Sequence, residues 1–194
     1  MRVTIVGTGF IGGVLGRALA GSGQDVTFAS RHPQDDVVAG EAKAQVAPVG
    51  EALASAEVVI LALPGAAMGD LVNEHEVALA GKLVVDATNQ MGQAVANARA
   101  ALPASVRYAR AFNTLGGENM ADPVFPDGQR ADMFFSAPGD DRHTVETIIS
   151  GVGLRPIYVG EDQEALIDDL FQLWVTLVFK QGRGRRMALK LLEG

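Results

Sequence analysis

Two hydrophobic rhythms alternate along the first half of the chain. Residues 3–6 (VTIV) are a short β-branched run, and over residues 11–19 the apolar positions recur at helical spacing. A second strand is expected over 26–29, a weak third around Val46 in AQVAPV, and a strong fourth in AEVVILALP. That fourth run is apolar at successive positions rather than alternate ones, as suits a strand buried on both faces. A helical stretch over about 66–79 leads into GKLVVDATN, a fifth strand, and SVRYARAFN gives a sixth that ends near Asn113. Strands and helices in this order predict a parallel sheet with helices on both faces and right-handed crossovers.

The rhythm changes after Asn113. ENMADPVFPDGQRA reads as an irregular excursion, DMFFSAPGDD as a strand and turn, RHTVETIISGVG as a helix and LRPIYVG as a strand. A helix is expected over 163–179, with Leu166, Leu170, Leu173, Trp174 and Leu177 on one face, a pattern that fits core or subunit contact. A last short helix is expected over 186–192. No repeat or linker interrupts the sequence.

The first turn carries the chemistry. Gly7, Gly9 and Gly12 have the G-x-G-x-x-G spacing between a strand and a helix. In such a turn the first glycine permits the tight bend, the second lets a diphosphate approach bare backbone, and the third lets helix and strand pack closely. The helix N-terminus adds free N–H groups and positive dipole, with Thr8, Phe10 and Ile11 supplying backbone contacts. At the end of the second strand, where an NAD site usually places an acid for the ribose hydroxyls, stand Ser30 and Arg31. A guanidinium can clamp a phosphate through paired hydrogen bonds, and a hydroxyl can add one more, so the reading is NADP(H) with Arg31 on the 2′-phosphate. Asp35 and Asp36 follow closely and oppose it. The expected fold is therefore α/β, a Rossmann doubly wound, mostly parallel sheet with a small C-terminal α/β extension and helical cap. It forms one NAD(P)-binding domain over 1–194, with the dinucleotide-binding core at 1–115 and the extension and cap at 116–194.

Charge narrows the partners. A net charge of −7 and a pI near 4.9 argue against nucleic acid, whose phosphates need a basic footprint. With no cysteine, disulfides, thiolate metal sites and cysteine nucleophiles are excluded. No leader and no membrane span is read at the N-terminus, and a cytoplasmic location is expected.

VTIVGTGFIGGVLGRALAGSGQDVTFASR, AEVVILALP, GKLVVDATN and RAFNTLG together resemble the NADPH-dependent reductases of the deazaflavin coenzyme F-420. They are similar also to the oxidoreductase domain of the six-transmembrane ferric reductases. The resemblance continues through GDD, GLRPIYVG and LWVTLVF…MALKLLEG. It implies a single Rossmann domain, usually homodimeric, that holds NADP(H) and passes hydride to a flat acceptor, a deazaflavin such as coenzyme F-420 or a flavin. By position it implies Thr8 to Ile11 on the pyrophosphate and Ser30 with Arg31 on the 2′-phosphate. Ala62, Leu63, Pro64, Asn89 and Asn113 would line the ribose and nicotinamide, with the acceptor near residues 114–117 beneath the cap. Two departures stand out. Relatives carry a further basic residue where this chain has HPQDD, and a basic residue near the last long helix where this chain has GEDQEALIDDL.

The remaining candidates are weaker. Asp86 reads as a hydrogen-bonded strand-end residue before an acid–base group, since it has no partner in the pattern. Asn89 and Asn113 read as amide hydrogen-bonders or turn formers. His32, His75 and His143 lie in polar stretches without metal-ligand spacing, and only His32 could touch an adenine. No G-x-S-x-G elbow is present, so covalent catalysis is not expected; hydride transfer does not need it. The basic residues Lys180, Arg183, Arg185, Arg186 and Lys190 read as a solvated helix end or as a grip on an anionic acceptor. The expectation is an NADP(H)-dependent oxidoreductase with a small-molecule redox acceptor, no resident metal and no identified catalytic residue. Its alternatives are a reductase of a small imine, ketone or quinone, and an NADPH-binding redox sensor without turnover.

Overall fold

Strands that are apolar at consecutive positions need cover on both faces, and the architecture supplies it. The computed structural model describes residues 1–34, 44–89, 98–192 and 194. Strands β1 (Arg2–Val6), β2 (Asp25–Ser30), β3 (Gln45–Pro48), β4 (Val58–Leu61), β5 (Leu83–Asp86) and β6 (Arg107–Arg110) form one sheet. Their order is β3-β2-β1-β4-β5-β6, parallel throughout. This is the doubly wound Rossmann order, whose direction reverses between β1 and β4. The register brings the carboxyl ends together there, with Val6 beside both Ala29 and Leu61.

Pleat alternation divides the core. Val3, Ile5, Val58, Ile60, Leu83 and Val85 point to one face, against helix α1 (Phe10–Gly21). Val6, Val59, Leu61 and Val84 point to the other, against α2 (Val49–Ser55) and α3 (Met68–Leu79). Buried Thr4 of β1 donates its hydroxyl to Ala52 O at 2.8 Å. Helix α2 was not anticipated: its seven residues are too short to show a periodicity. Helix α3 follows a 3-10 turn, Gly65–Ala67, and kinks at His75 (φ −131°, ψ 21°).

The extension adds α4 (Gly117–Ala121), β7 (Asp132–Phe135), α5 (Arg142–Gly151), β8 (Arg155–Tyr158) and α6 (Glu164–Val175). Strands β7 and β8 pair in parallel, and just beyond β7 Ser136 exchanges backbone hydrogen bonds with Arg110 of β6 at 2.8 and 3.1 Å. Met133, Phe135, Val145, Ile148 and Ile149 join the α1-side core.

Two expectations need correction. Helix α6 buries Ile167, Phe171 and Trp174, so Trp174 belongs to the inner stripe, whereas Leu166 and Leu173 are 43% and 45% exposed on a neighbouring stripe. The helix gives way to a π-helical turn, Thr176–Lys180. The expected helix at 186–192 is absent, and the chain there runs as an irregular strap. Its carbonyls are committed elsewhere: Met187 O accepts from Trp174 Nε1 (3.0 Å) and Asn119 Nδ2 (3.1 Å), and Arg185 O also accepts from Asn119 Nδ2 (3.0 Å). At the far end Leu191 N donates to Asp132 Oδ2 (2.7 Å), and Asp132 also takes Arg155 Nε (2.7 Å) and Lys190 Nζ (3.1 Å).

Burial alone would raise the Asp132 carboxyl, but the bonds from Arg155, Leu191 N and Lys190 outweigh it and hold the group below the usual range. A carboxyl depressed in the folded state contributes stability that is present above about pH 4 and lost as the pH falls through its folded value. Asp132→Asn should therefore cost about 1–3 kcal/mol at neutral pH. It should also flatten the acid limb of stability against pH, both read by urea denaturation between pH 3 and pH 7.

Candidate cofactor site

The turn between β1 and α1 is set by contacts that leave no room for side chains. Gly7 sits at φ +116°, and a Cβ there would lie 2.3 Å from Ala62 O, just beyond β4. A Cβ on Gly12 would lie 1.9 Å from Gly7 O, and one on Gly16 would lie 2.1 Å from the Phe28 ring. Gly9 differs: it is exposed, and a Cβ built on it meets nothing within 4 Å. Gly13 N closes the first helical bond onto Gly9 O at 2.8 Å. Helix α1 carries no acidic residue in its first turn, so its free N–H groups and positive end face open space unopposed. Bare backbone, space and donors are what a diphosphate needs, and the turn fits one.

From this turn a cleft of about 490 Å³ runs along the carboxyl ends of β1, β2 and β4. It brings together Gly7, Thr8, Ser30, Arg31, Leu63 and Pro64 of the residues singled out in the sequence. Ala62 lies beneath it, its carbonyl against Gly7. Ser30 is buried, and its Oγ accepts the His32 backbone N–H at 3.0 Å. Arg31 is exposed at the rim and makes no ion pair among the described residues. Asp35 and Asp36 lie outside the described residues. The opposite wall is α3, which contributes Asp70, Leu71, Glu74 and His75. Asp70, Leu71 and Glu74 escaped the sequence reading and His75 was set aside in it, although a helix starting just past LALP must turn one side to this cleft.

The other end of the site lies past β5 and β6. Asn113 is fully buried and Asn89 is exposed, and they bond each other: Asn113 Nδ2 donates to Asn89 Oδ1 at 3.1 Å, and Asn89 Nδ2 to Asn113 O at 3.4 Å. Asn113 Oδ1 is buried without a partner among the described residues, an acceptor they leave unsatisfied. The preceding Phe112 is buried at φ +70°, a strained conformation for a side chain of its size, and its N–H points to Met133 Sδ at 3.1 Å.

Asp86 is a structural acceptor here, not a free acid. It takes Thr88 N (2.8 Å), Thr88 Oγ1 (2.6 Å), Ala98 N (2.8 Å) and Tyr108 Oη (2.7 Å), with Arg110 Nη1 at 3.1 Å. Burial, joined by the Asp86 carboxylate, pushes the Tyr108 phenol far above its ordinary value, so it stays a proton donor in that bond. Arg110 itself is fully buried and was missed in the sequence, where nothing distinguishes it from a surface arginine.

A small-residue patch lies against the start of α1. A Cβ on Gly117 would meet the Phe10 ring at 2.5 Å and Ile11 Cδ1 at 2.7 Å, and one on Gly116 would meet Trp174 at 3.0 Å. Phe10 remains 58% exposed. Much of the basic run is consumed in holding the strap over this patch. Arg185 pairs with Glu118 at 2.6 Å and lies over Trp174, Arg186 pairs with Asp122 at 2.7 Å, and Lys190 reaches Asp132. Those three are therefore engaged within the fold rather than free for an anionic acceptor. Among the described residues no cluster of His, Cys, Asp or Glu could hold a metal, and no helix is long and apolar enough to cross a membrane.

The comparisons agree with this geometry. The sequence model of the family described as NADP oxidoreductase, coenzyme F420-dependent, matches residues 2–90, which run from β1 to just beyond β5. The resemblance read from the sequence is thus borne out over that stretch, and the matched family is one of NADP-dependent oxidoreductases, the enzyme class expected. The metalloreductase STEAP3 of Rattus norvegicus is 29% identical over 167 residues, 82% of this chain. The chain spans about a third (34%) of the length of that curated relative. Among solved structures, the candidate F420-dependent NADP-reductase of Arthrobacter sp. FB24 superposes over the whole of both chains with a TM-score of 0.82 at 22% identity. The imine reductase of Streptomyces aurantiacus is matched over 92% of this chain and 62% of its own, with a TM-score of 0.75 at 23% identity. At these identities the structural matches speak for the Rossmann fold.

The glycine contacts separate folding from binding. Gly12→Ala should destabilise the chain by about 2–4 kcal/mol, because its new methyl strikes backbone. Gly9→Ala should leave the thermal midpoint unchanged within about 2 °C, since its methyl enters open space. Differential scanning calorimetry of the two variants checks the contrast.

Proposed function

We propose that the chain is an NADP(H)-dependent oxidoreductase that moves hydride between the nicotinamide and a planar redox carrier, a deazaflavin such as coenzyme F-420 or a flavin. The observation that carries the cofactor reading is the cleft itself: it runs from Gly7 and Thr8, next to bare Gly9 and the α1 N-terminus, to Arg31 at its rim. In this reading the turn at residues 7–12 receives the diphosphate, and Arg31 with Ser30 receives the 2′-phosphate. Ala62, Leu63 and Pro64 border the ribose. Asn89 and Asn113 meet the nicotinamide end, where Asn113 Oδ1, without a partner among the described residues, is the kind of acceptor a carboxamide N–H satisfies. Bound there, the nicotinamide supplies the hydride chemistry, and the protein supplies distance and orientation.

The acceptor is inferred from what surrounds that end. Reduction of a small ketone or imine calls for a positioned proton donor. Among the described residues the acids of this region are committed: Asp86 and Tyr108 are bonded to each other and buried, Asp168 is paired with Arg110, and Glu118, beside Gly116, is paired with Arg185. Beside Gly117 the exposed surface is the flat, apolar Phe10 ring, and beside Gly116 the neutralised Arg185–Glu118 pair lies over Trp174. A broad ring system suits that shelf. The comparison panel is NADPH oxidation with a deazaflavin, a flavin, a quinone and a cyclic imine. Turnover of the imine alone would replace the planar carrier with a small substrate. Binding of NADPH with no turnover of any would make the chain a nucleotide sensor.

The partner proposed is a second copy of the chain. Leu166, Leu170, Leu173 and Leu177 follow the four–three–four spacing of a helical seam and stand beside the buried stripe. The segment is acidic at its start, with Glu161, Asp162 and Glu164, and basic at its end, with Lys180 and Arg183. Two copies packed antiparallel would therefore match both leucines and charges. Sedimentation equilibrium should report a dimer that Leu173→Lys converts to a folded monomer; a monomeric parent chain at every concentration rejects this face.

For the cofactor, Arg31→Ala should raise the Michaelis constant for NADPH about tenfold or more, the scale of one lost charge-assisted phosphate contact, and leave that for NADH within about twofold. Equal changes for the two would remove Arg31 from the 2′-phosphate.

A further inference from the structure

A fully buried guanidinium is expensive to desolvate, and an apolar side chain of similar volume often serves stability better. Arg110 nevertheless lies at 0% exposure between two carboxylates from different parts of the fold. Its Nε and Nη2 both donate to Asp168 Oδ1 of α6, at 3.0 and 2.8 Å. Its Nη1 lies 3.1 Å from Asp86 Oδ2 and donates to Thr88 O at 2.7 Å. The same Thr88 carbonyl accepts Asn113 Nδ2 at 3.1 Å, so it takes one bond from Arg110 and one from Asn113. Asn113 Nδ2 spends its second proton on Asn89 Oδ1. A continuous chain of hydrogen bonds thus runs from the cap helix, through Arg110 and the Thr88 carbonyl, to the two asparagines.

We propose that Arg110, braced by Asp168, is a positioning residue for the nicotinamide end of the site and makes the C-terminal cap a determinant of how that end is held. The inference rests on the cofactor reading above and deepens it. Neither Arg110 nor Asp168 lines the adenylate cleft, whereas both act on the Thr88–Asn89 segment and on Asn113. The asparagine carboxamide can rotate only by giving up bonds to Thr88 O and Asn89 Oδ1. Thr88 O is in turn fixed by a guanidinium that α6 holds by its fork. Loosening Asp168 should therefore relax the asparagines and leave the adenylate end untouched.

The test compares two ligands by isothermal titration calorimetry: NADPH, and 2′,5′-ADP, which has the adenylate and 2′-phosphate but no nicotinamide. Asp168→Asn keeps the shape and removes the charge; it should weaken NADPH about tenfold, or 1.4 kcal/mol, with 2′,5′-ADP unchanged within about twofold. Asp168→Glu should recover part of the loss. Arg110→Lys, which keeps the charge without the fork, is measured alongside, so that a fold lost in one variant still leaves the other. The double variant Asp168→Asn, Asn113→Ala should lose less NADPH affinity than the two single changes added together. Equal losses for both ligands, or no loss for NADPH, overturns the proposal. A parent chain that binds neither ligand overturns the cofactor reading itself, an outcome distinct from loss of the difference between ligands.

Discussion

Main chain pressed against main chain at the crossing of β1, α1 and β4 is the constraint on which the site depends. Gly7 lies against the Ala62 carbonyl and Gly12 against the Gly7 carbonyl, at separations that a methyl group would bring to about 2 Å. With the turn drawn this tight, α1 starts directly over the end of β1 and its first N–H groups face outward at the topological switch point. The open space beside Gly9 is a consequence of the crowding beside Gly7 and Gly12. Three glycines in one motif thus do different work, and only Gly9 leaves open space beside its backbone.

The parts legible in the sequence are those whose signal is local. β-branched or continuously apolar runs marked the main strands, because a strand buried on both faces has no polar positions to spare. Gly7, Gly9 and Gly12 marked the turn by spacing alone, and Ser30 and Arg31 were visible because the end of β2 can be counted from it. Long-range pairings stayed hidden. Asp86, Arg110 and Asp168 are separated by 24 and 58 residues, and no local pattern reports which carboxylate meets which guanidinium. The expected helix at 186–192 failed for the same reason. Its residues favour a helix locally, but Asn119, Trp174, Asp132 and Arg155 draw off the backbone groups that the helix would have paired. Helix α6 shows a third kind of limit: two apolar stripes run side by side on it, and periodicity cannot say which faces inward.

The extension contributes more than cover. Its β7 joins the edge of the main sheet through Ser136, its α5 completes the α1-side core, and its α6 reaches Arg110. The strap then closes over α4, held by ion pairs to Glu118, Asp122 and Asp132 from residues 185–190. A basic segment that looked available for a ligand is spent on this closure. The surface beside Gly116 and Gly117 is left with the Phe10 ring and with an Arg185 already neutralised by Glu118.

Electrostatics adds a last constraint on the cofactor end. The chain carries a charge of −7, and the cofactor proposed for it is an anion. Binding must rest on local fields, since charges separated by more than about 8 Å of salt solution are largely screened. Two local sources of positive potential serve the cleft: Arg31 in its lining and the α1 N-terminus, which follows directly on the lining residues Gly7 and Thr8. The far wall carries Asp70 and Glu74 on α3. A phosphate placed against that wall is repelled, while one at the β2 end is held, so the acids exclude the reversed placement as firmly as Arg31 favours the proposed one. An amino group is the complement of such a wall, and the exocyclic amine of an adenine laid between β2 and α3 provides one. A cleft basic on one side and acidic on the other would therefore orient the adenylate of the proposed cofactor rather than merely attract it.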